Sequence, residues 1–395
     1  MLKKYKSYLE RVDSPGPKRL LSIDGGGIRG LISIEILARL QGLLREAYGD
    51  EDLRLADFFD YVGGTSTGAI IAAGVALGMT IEEIRTLYEL GAHVMLKPAP
   101  FLSQWRYRYR ANGLTEALKE HLGDTRIGDP GLPQTGVSNV HDLKTLLLLN
   151  MYNCNTDSPW PISNNPKAKF NRGSQIEGNN LFLPLWQLVR ASTAAPTYFP
   201  PERVNVGSEQ FVFVDGAVTP YNNPAFLLYV MSTLDEFNLR WERGEDKLLL
   251  VSVGTGSIPT AKKELRASQM TLLYSARQVP GALIYSATVE ADKLCRVFGR
   301  CLFGGPIDSE IGDLVEPLSA PAPSRAKDFT YVRYDANLTE AGLKDLGLYP
   351  GIVPEQVLPL ISGKNVQQLQ DVGRAYARKI ELAQFGAFDP SLALK

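Results

Sequence analysis

Ser66 is the central residue of Gly64-Thr65-Ser66-Thr67-Gly68, a segment with the spacing G-x-S-x-G. A short apolar run precedes the segment, and a long apolar run that is predicted to be a helix follows it. A serine on a sharp turn between a strand and a helix projects its hydroxyl out of the turn, where it can act as a nucleophile. A serine that only caps a helix shows the same pattern, so the motif predicts a nucleophile only if a base can reach it.

Histidine is the usual base for a serine nucleophile, and the chain has three: His93, His121 and His141. All three follow Ser66, which excludes the order His…Asp…Ser. The order Ser…Asp…His would need an acid that precedes residue 141. We therefore expect each histidine to be an ordinary surface or core residue. The alternative base is Asp215, which follows the apolar run FVFV at a predicted strand end, although an Asp-Gly pair is also typical of a turn.

Three consecutive glycines occur in Asp24-Gly25-Gly26-Gly27-Ile28-Arg29-Gly30, between a predicted strand and a predicted helix. Such a turn can direct several backbone N–H groups toward one anion. The anion could be the oxyanion of acyl transfer or the phosphate of a nucleotide, because Gly25-x-Gly27-x-x-Gly30 also matches the dinucleotide fingerprint. That fingerprint expects a strand ending in an acid about 20 residues later, whereas residues 47–60 have the pattern of a helix end and a loop. Acyl transfer is therefore favoured.

Alternating strands and helices position these motifs. Three- and four-residue apolar spacing predicts a helix over 28–47, and a Thr80–Glu83 capping box predicts a second helix that runs through residue 90. A last helix is predicted over 366–382. Strands are predicted at the runs RLLSI, TLLLLNMYN, FVFV, LLLVSVGTG and FTYVRY.

This alternation predicts the domain organisation. Residues 18–260 should form a three-layer α/β/α domain with a mainly parallel central sheet. A tail over 1–17 would precede it, and a mostly helical extension over 261–395 would follow, acting as a lid or regulatory region.

The composition of the 395 residues excludes several classes of protein. Hydrophobic residues make up 44% and charged residues 22%, which excludes disordered, collagen-like and membrane-spanning chains. The net charge of -1 argues against binding of a nucleic-acid polymer. Three cysteines and an N-terminus without an apolar run favour a cytoplasmic location. Because zinc-protease, Cys-x-x-Cys and EF-hand patterns do not occur in the sequence, we expect no metal and no other cofactor.

Taken together, the three motifs resemble those of the patatin-like phospholipases. D-G-G-G-I-R-G at 24–30, G-T-S-T-G at 64–68 and D-G-A at 215–217 have the family's order and spacing. The resemblance covers about residues 18–260. Further similar segments are TAAPTYFPP at 193–201, VSVGTG at 251–256 and YRYRANGLTEALKEHLGD at 107–124.

The resemblance implies a lipid acyl hydrolase of the phospholipase A type with a Ser–Asp dyad. Ser66 would be the nucleophile, and Asp215 would act on it directly as the base. Arg29 would position the substrate, either by steadying the glycine turn or by facing a lipid phosphate. The implied oxyanion hole consists of Gly25, Gly26 and Gly27.

The remaining expectations concern partners. An acyl-lipid substrate implies peripheral membrane contact, for which the aromatic and arginine residues of 98–110 are candidates, although the pattern is more typical of a structural role. The apolar residues of 266–303 either pack in the core or cover the site. The alternative function is a nucleotide-binding or signal-activated effector in which the glycine turn holds phosphate. A small-molecule activator and a homo-oligomer are both compatible with the sequence.

Overall fold

The computed structural model describes residues 2–95, 107–130, 141–258, 267–308, 310–321, 325–360 and 365–394. Within these residues, nine strands form one sheet in the order β5-β6-β3-β2-β1-β7-β9-β8, with β4 paired to β3. The strands are β1 (Lys18–Ile23), β2 (Tyr61–Thr65), β3 (Leu146–Asn153), β4 (Ser158–Ser163), β5 (Glu202–Val206), β6 (Glu209–Asp215), β7 (Leu248–Val253), β8 (Arg300–Phe303) and β9 (Thr330–Tyr334).

The centre of the sheet is parallel. β3, β2, β1, β7, β9 and β8 pair in parallel, whereas β4, β5 and β6 join by antiparallel pairing. Every residue of β2, β7 and β9 is buried. A parallel strand that is covered on both faces needs mostly apolar residues on both, which explains the continuous apolar run over residues 248–251 of β7. Strand β9 differs because it carries the buried Arg333. The predicted α/β class with a mainly parallel sheet is confirmed.

Helices cover both faces of this sheet. Neighbouring residues of a strand point to opposite faces, and a Cβ on Gly63 of β2 would contact Leu228, whereas one on Gly64 would contact Gly68. The helices that carry Leu228 and Gly68 therefore lie on opposite faces. The helices are α1 (Leu9–Val12), α2 (Gly30–Tyr48), α3 (Leu55–Phe58), α4 (Thr67–Ala76), α5 (Ile81–Met95), α6 (Asn112–Leu122), α7 (Leu185–Ser192), α8 (Ala225–Thr233), α9 (Leu272–Phe298), α10 (Glu340–Asp345), α11 (Pro354–Val357) and α12 (Val366–Ala377).

Several predicted elements are observed with shifted ends. The capping box before α5 is formed by reciprocal bonds of 2.7 and 2.9 Å between Thr80 and Glu83. The last helix ends at Ala377, whereas the pattern predicted residue 382. Strand β4 was not predicted, because Pro159 and Pro161 disfavour a strand. Among the described strands, β4 pairs only with β3, so its other edge is unpaired and needs no N–H donors.

The C-terminal third contributes to the central sheet. β9 pairs in parallel with β7 from Leu249 to Val253, and β8 pairs with β9. Helix α12 packs on α2. Residues 261–395 therefore supply two strands as well as the expected helices. Across the described part of the chain, no helix combines the length and apolar character needed to cross a membrane.

Candidate active site

Ser66 occupies a tight turn between β2 and α4, with φ 56° and ψ −124°. A conformation of this kind costs a residue with a side chain about 1–3 kcal/mol. Both flanking glycines are required because the backbone passes too close for a Cβ. A Cβ on Gly64 would lie 2.1 Å from the Gly68 carbonyl oxygen, and one on Gly68 would lie 2.3 Å from the Ile23 carbonyl oxygen. The G-x-S-x-G spacing therefore follows from the packing of this turn against β1.

Asp215 reaches Ser66 because β2 and β6 share one edge of β3. Strand β4 pairs along the other edge of β3, so β2 and β6 must both use the remaining one. Thr65 pairs with Asn150 and Asp215 pairs with Met151, which brings the ends of the two strands together. The Ser66 hydroxyl donates a hydrogen bond of 2.6 Å to Asp215 Oδ2. The structure thus joins the predicted nucleophile and the predicted base directly.

The C-terminal end of α7 holds both residues of this pair. The Ser66 N–H donates to Ser192 Oγ at 2.9 Å, and the Ser192 hydroxyl donates to the Asn150 carbonyl at 2.6 Å. The Asp215 N–H donates to the Ala194 carbonyl at 3.0 Å. No pattern in the sequence predicted this role for Ser192. Its position just before TAAPTYFPP, one of the segments similar to the family, was the available signal.

Burial changes the acid strength of Asp215, whose side chain is only 2% exposed. Burial raises the pKa of this carboxyl from its usual value near 3.8 to about 6, although hydrogen bonds from Ser66 and the Ala217 N–H oppose the rise. The nearby Arg190 guanidinium also lowers this pKa. A carboxylate with a pKa near 6 is a stronger base than an ordinary aspartate and is still ionised at pH 7.

The glycine turn lies beside the Ser66 side chain. A Cβ on Gly25 would be 3.2 Å from Ser66 Cβ. The Gly25 N–H donates to the Asn222 carbonyl at 3.0 Å, and the Gly26 N–H makes a long bond of 3.3 Å to Thr67 Oγ1. Gly27 has φ +55°, a conformation that glycine adopts at little cost. The structure therefore brings the predicted glycines close to Ser66, with the Gly25 N–H already bonded to the Asn222 carbonyl.

Groups from distant parts of the chain hold this turn. The Ile28 N–H donates to the Leu360 carbonyl at 2.8 Å, and the Tyr88 hydroxyl donates to the Gly27 carbonyl. A Cβ on Gly26 would lie 2.0 Å from Thr255 Oγ1. These contacts come from α5, from the loop after β7 and from the C-terminal third. They were not predicted because no local pattern links them to the glycines.

Arg29 follows the glycine turn and is partly buried. Burial lowers the pKa of its guanidinium, and the nearby carboxylates of Asp335 and Asp24 oppose this shift. Among the described residues, its Nε is buried without a hydrogen-bond partner. Arg29 thus places a positive charge beside the turn.

The two histidines whose side chains the structure describes, His121 and His141, line a different part of the surface. His121 and His141 line a cavity of about 620 Å³ together with Glu82, Glu83 and Glu120. The Nδ1 atom of His121 is 2.9 Å from the Ala117 carbonyl of its own helix. The side chain of His93 lies outside what the structure describes. The hydroxyl of Ser66 is bonded to Asp215, not to either described histidine.

The aromatic and arginine stretch is described only from residue 107 onward, so Trp105 and Arg106 lie outside the described residues. Its backbone pairs with the segment after α7: the Arg108 N–H donates to the Thr197 carbonyl at 3.1 Å, and the Tyr109 N–H donates to the Tyr198 carbonyl at 2.9 Å. The Arg108 side chain remains exposed, as does that of Arg110. This part of the stretch thus combines a structural contact with a basic surface.

The fold and the site define an α/β protein with a serine at a strand–helix turn, hydrogen-bonded to an aspartate and flanked by a glycine turn. The chain belongs to the patatin-like phospholipase family, whose family model matches residues 21–229.

Curated relatives include Patatin-17 of Solanum cardiophyllum, 30% identical over 268 residues that cover 63% of each chain, and Patatin of Solanum tuberosum, 30% identical over 256 residues that cover 60% of each. The chain thus spans less than two thirds of the length of these relatives. The structure of VipD from Legionella pneumophila is also similar, with a TM-score of 0.40 and 14% identity, covering 93% of this chain and 67% of that one.

Proposed function

We propose that this chain is a lipid acyl hydrolase that cleaves fatty-acyl esters of membrane lipids, as a phospholipase A does. The observation that carries the proposal is the 2.6 Å hydrogen bond from the Ser66 hydroxyl to the buried Asp215 carboxylate. Family membership supports an ester of a lipid as the substrate.

The proposed reaction has two steps. Ser66 Oγ attacks the ester carbonyl carbon while Asp215 accepts the hydroxyl proton. Asp215 then returns this proton to the leaving alcohol, which leaves an acyl-Ser66 intermediate. In the second step Asp215 removes a proton from water, the resulting hydroxide attacks the acyl carbon, and Ser66 regains a proton as the fatty acid departs.

The glycine turn is proposed to hold the oxyanion of both steps. The N–H groups of Gly26 and Gly27 carry this role best, because the Gly25 N–H donates to Asn222 in this structure. The bond of 3.3 Å from Gly26 to a neutral hydroxyl is weak enough for a charged oxygen to replace it. Arg29 adds positive charge beside the turn and is proposed to position the substrate.

Membrane contact completes the proposal. The enzyme would work at the cytoplasmic face of a membrane, where exposed Arg108 and Arg110 could meet anionic lipids. A phosphate cradle for a nucleotide is less well supported, because the N–H groups of Gly25 and Ile28 already donate to the carbonyls of Asn222 and Leu360.

The test combines a serine-directed fluorophosphonate probe with mass spectrometry of a hydrolysed lipid extract. The wild-type chain should be labelled and should release fatty acids, whereas Ser66→Ala should do neither. Ser232→Ala is the matched control, because the hydroxyl of this buried serine donates to the Tyr229 carbonyl of its own helix. Labelling of a folded Ser66→Ala protein, or no lipid hydrolysis by the wild type, would reject the proposal.

A further inference from the structure

A buried ion pair joins the C-terminal third to the start of the glycine turn. Arg333 of β9 donates to both oxygens of Asp24, from Nη1 to Oδ1 at 2.9 Å and from Nη2 to Oδ2 at 2.7 Å. The same guanidinium donates to Ser252 Oγ at 2.8 Å and to Asp335 Oδ2 at 3.2 Å. Arg333 is 3% exposed and Asp24 is 2% exposed. Arg333 and Asp24 therefore form a bidentate ion pair, and Ser252 and Asp335 accept further hydrogen bonds from the same guanidinium.

Stability alone is a weak explanation for this arrangement. Removing two charges from water costs several kcal/mol per ion, and well-packed apolar residues often stabilise a fold as well as a buried pair does. Burial raises the pKa of Asp24, to about 6, and the hydrogen bonds from Arg333 oppose this rise. The pair therefore keeps a buried carboxylate ionised and fixed in direction, which an apolar contact could not do.

Because Asp24 directly precedes the glycine turn, an anchored Asp24 restrains the conformation of that turn. Asp24 is the last residue before three glycines, which have no side chains to hold their own conformation. Its N–H donates to the Val253 carbonyl at 3.0 Å, so both its backbone and its carboxylate are anchored. The turn that follows can therefore start from only one orientation beside Ser66.

Arg333 is also linked to the glycine turn through Asp335 and the loop after β7. Asp335, which accepts from Arg333, also accepts from the Gly256 N–H at 2.9 Å. Thr255, the residue before Gly256, donates to the Gly25 carbonyl at 3.3 Å. Arg333 thus lies between two anchors of the glycine turn, one at Asp24 and one in the loop after β7.

We propose that Arg333 is a positioning residue that sets the glycine turn against Ser66, so that a strand from the C-terminal third completes the catalytic apparatus. This inference rests on the proposed function for its catalytic part, because it assigns the turn to the oxyanion. Its structural part, the orientation of the turn, is measured independently of activity.

The experiment compares Arg333→Lys with the wild type, because lysine keeps the charge but cannot bond both oxygens of Asp24 in a fork. With a short soluble ester, kcat should fall by about 10- to 100-fold, as a small misplacement of a catalytic group does. KM should stay within about twofold, because the loss is one of transition-state stabilisation. Hydrogen exchange of the backbone over residues 25–30 should become faster.

Arg296→Lys is the matched control. Arg296 also forms a buried fork, from Nε and Nη2 to the two oxygens of Asp292 at 3.0 and 2.7 Å, and it lies in the same third of the chain. Its other bonds go to the carbonyls of Gly305 and Asp313. This variant should lose stability but keep kcat and the exchange rates of residues 25–30.

A folded Arg333→Lys protein with wild-type kcat and wild-type exchange over residues 25–30 would overturn the inference. So would an Arg296→Lys protein that reproduces both effects. If the wild type hydrolyses no ester while Arg333→Lys speeds exchange, the proposed function fails and the positioning of the turn stands. If Arg333→Lys does not fold, Ser252→Ala removes one acceptor from the guanidinium and should give smaller changes in the same directions, and wild-type values there would overturn the inference.

Discussion

At the scale of single residues, the direct bond between Ser66 and Asp215 makes the acid strength of one carboxyl decisive. No imidazole lies between the two side chains to carry the proton, because the hydroxyl donates to Asp215 Oδ2 at 2.6 Å. An exposed aspartate with its usual pKa would be a weak base for a hydroxyl. Burial raises the pKa of Asp215 to about 6, which makes its carboxylate a stronger base that is still ionised at pH 7.

The first prediction is that kcat for a short soluble ester rises with pH through about 6 and levels off above pH 7, because only ionised Asp215 accepts the Ser66 proton. The pH profile of kcat measures this directly. A larger fraction of folded protein at higher pH cannot explain this rise in kcat. Between about 3.8 and 6 the folded state holds the protons of Asp215 and Asp24 more tightly than the unfolded chain, so these two carboxyls lower stability as pH increases. A kcat that is constant from pH 5 to 8 would contradict the assignment of the base.

The second prediction concerns removal of the base. Asp215→Asn and Ser66→Ala should each abolish ester hydrolysis, and the double variant should be little worse than either, because the two residues act as a unit. The rise in pKa from 3.8 to about 6 corresponds to about 3 kcal/mol, so Asp215→Asn should increase the free energy of unfolding at pH 8 by up to that amount. Urea unfolding measures this, and a loss of stability at pH 8 would show that the buried charge is not costly.

At the scale of elements, α9 has two different halves. Its C-terminal part is anchored by the buried side chains of Asp292 and Cys295, whereas Val279 and Leu283 in its first part are 49% and 65% exposed. Near the junction, Thr288 Oγ1 accepts from Asn222 Nδ2 at 3.1 Å, and Asn222 binds the Gly25 N–H. The predicted cover over the site therefore has an exposed apolar surface and a hydrogen-bonded link to the glycine turn.

The third prediction tests this surface. Replacing both Val279 and Leu283 by Ser should lower hydrolysis of phospholipid in vesicles several-fold, because exposed apolar side chains gain free energy on entering the lipid boundary. Hydrolysis of a short soluble ester should not change. Leu392→Ser is the control, since Leu392 is 55% exposed in the chain segment that packs on α2. An equal effect of the control on vesicle hydrolysis would reject a specific role for α9.

The cover hypothesis also predicts faster proteolysis of residues 257–305 when vesicles are added, although residues 259–266 of that segment lie outside the described chain. Opening of the cover would expose backbone that is protected in the closed state. Limited proteolysis followed by mass spectrometry would locate the cleavage sites. Identical cleavage with and without vesicles would favour a permanently packed helix.

The fourth prediction concerns the basic surface next to α6. Replacing Arg108 and Arg110 by Gln should weaken binding to anionic vesicles and reduce its salt dependence, because both side chains are exposed. Flotation at two salt concentrations measures this. The control Arg240→Gln removes an exposed arginine that pairs with Asp235. A loss of activity on a short soluble ester would instead indicate a structural role, through the backbone bonds to Thr197 and Tyr198.

At the scale of the whole molecule, the C-terminal third and the motif-bearing part share one sheet. β9 covers the edge of β7 along its length, and Arg333 of β9 neutralises the buried Asp24. Without β9, the buried residues of β7 would form an exposed apolar edge, which is a site of aggregation. The boundary at residue 260 therefore separates the segments that resemble the family from the rest of the chain. The strands on either side of this boundary nevertheless belong to one continuous sheet.

The fifth prediction is that a chain ending at residue 260 does not fold. It should show no cooperative unfolding transition and should aggregate, because it loses two strands and leaves Asp24 buried without its partner. Circular dichroism and gel filtration measure these properties. A chain lacking only residues 390–395 should behave like the wild type. A soluble, cooperatively folded and active 1–260 fragment would establish the extension as separable.

The sequence by itself determined the elements and motifs whose cause is local. The glycines around Ser66 are required by the turn they form, and the capping box of Thr80 and Glu83 begins α5. Residues 20–21 of β1, 61–62 of β2 and 248–251 of β7 are apolar because both faces of a central parallel strand are buried. Each of these features depends on a few neighbouring residues, so a pattern in the sequence is enough to predict it.

Only the tertiary structure decided which distant groups meet. Ser66 and Asp215 are 149 positions apart, and they touch because β3 pairs β2 and β6 on one edge in a fixed register. The anchor of Asp24 by Arg333 spans 309 positions and depends on β9 joining β7. Contacts at such separations are set by strand register and by packing across the whole chain, which no local pattern encodes.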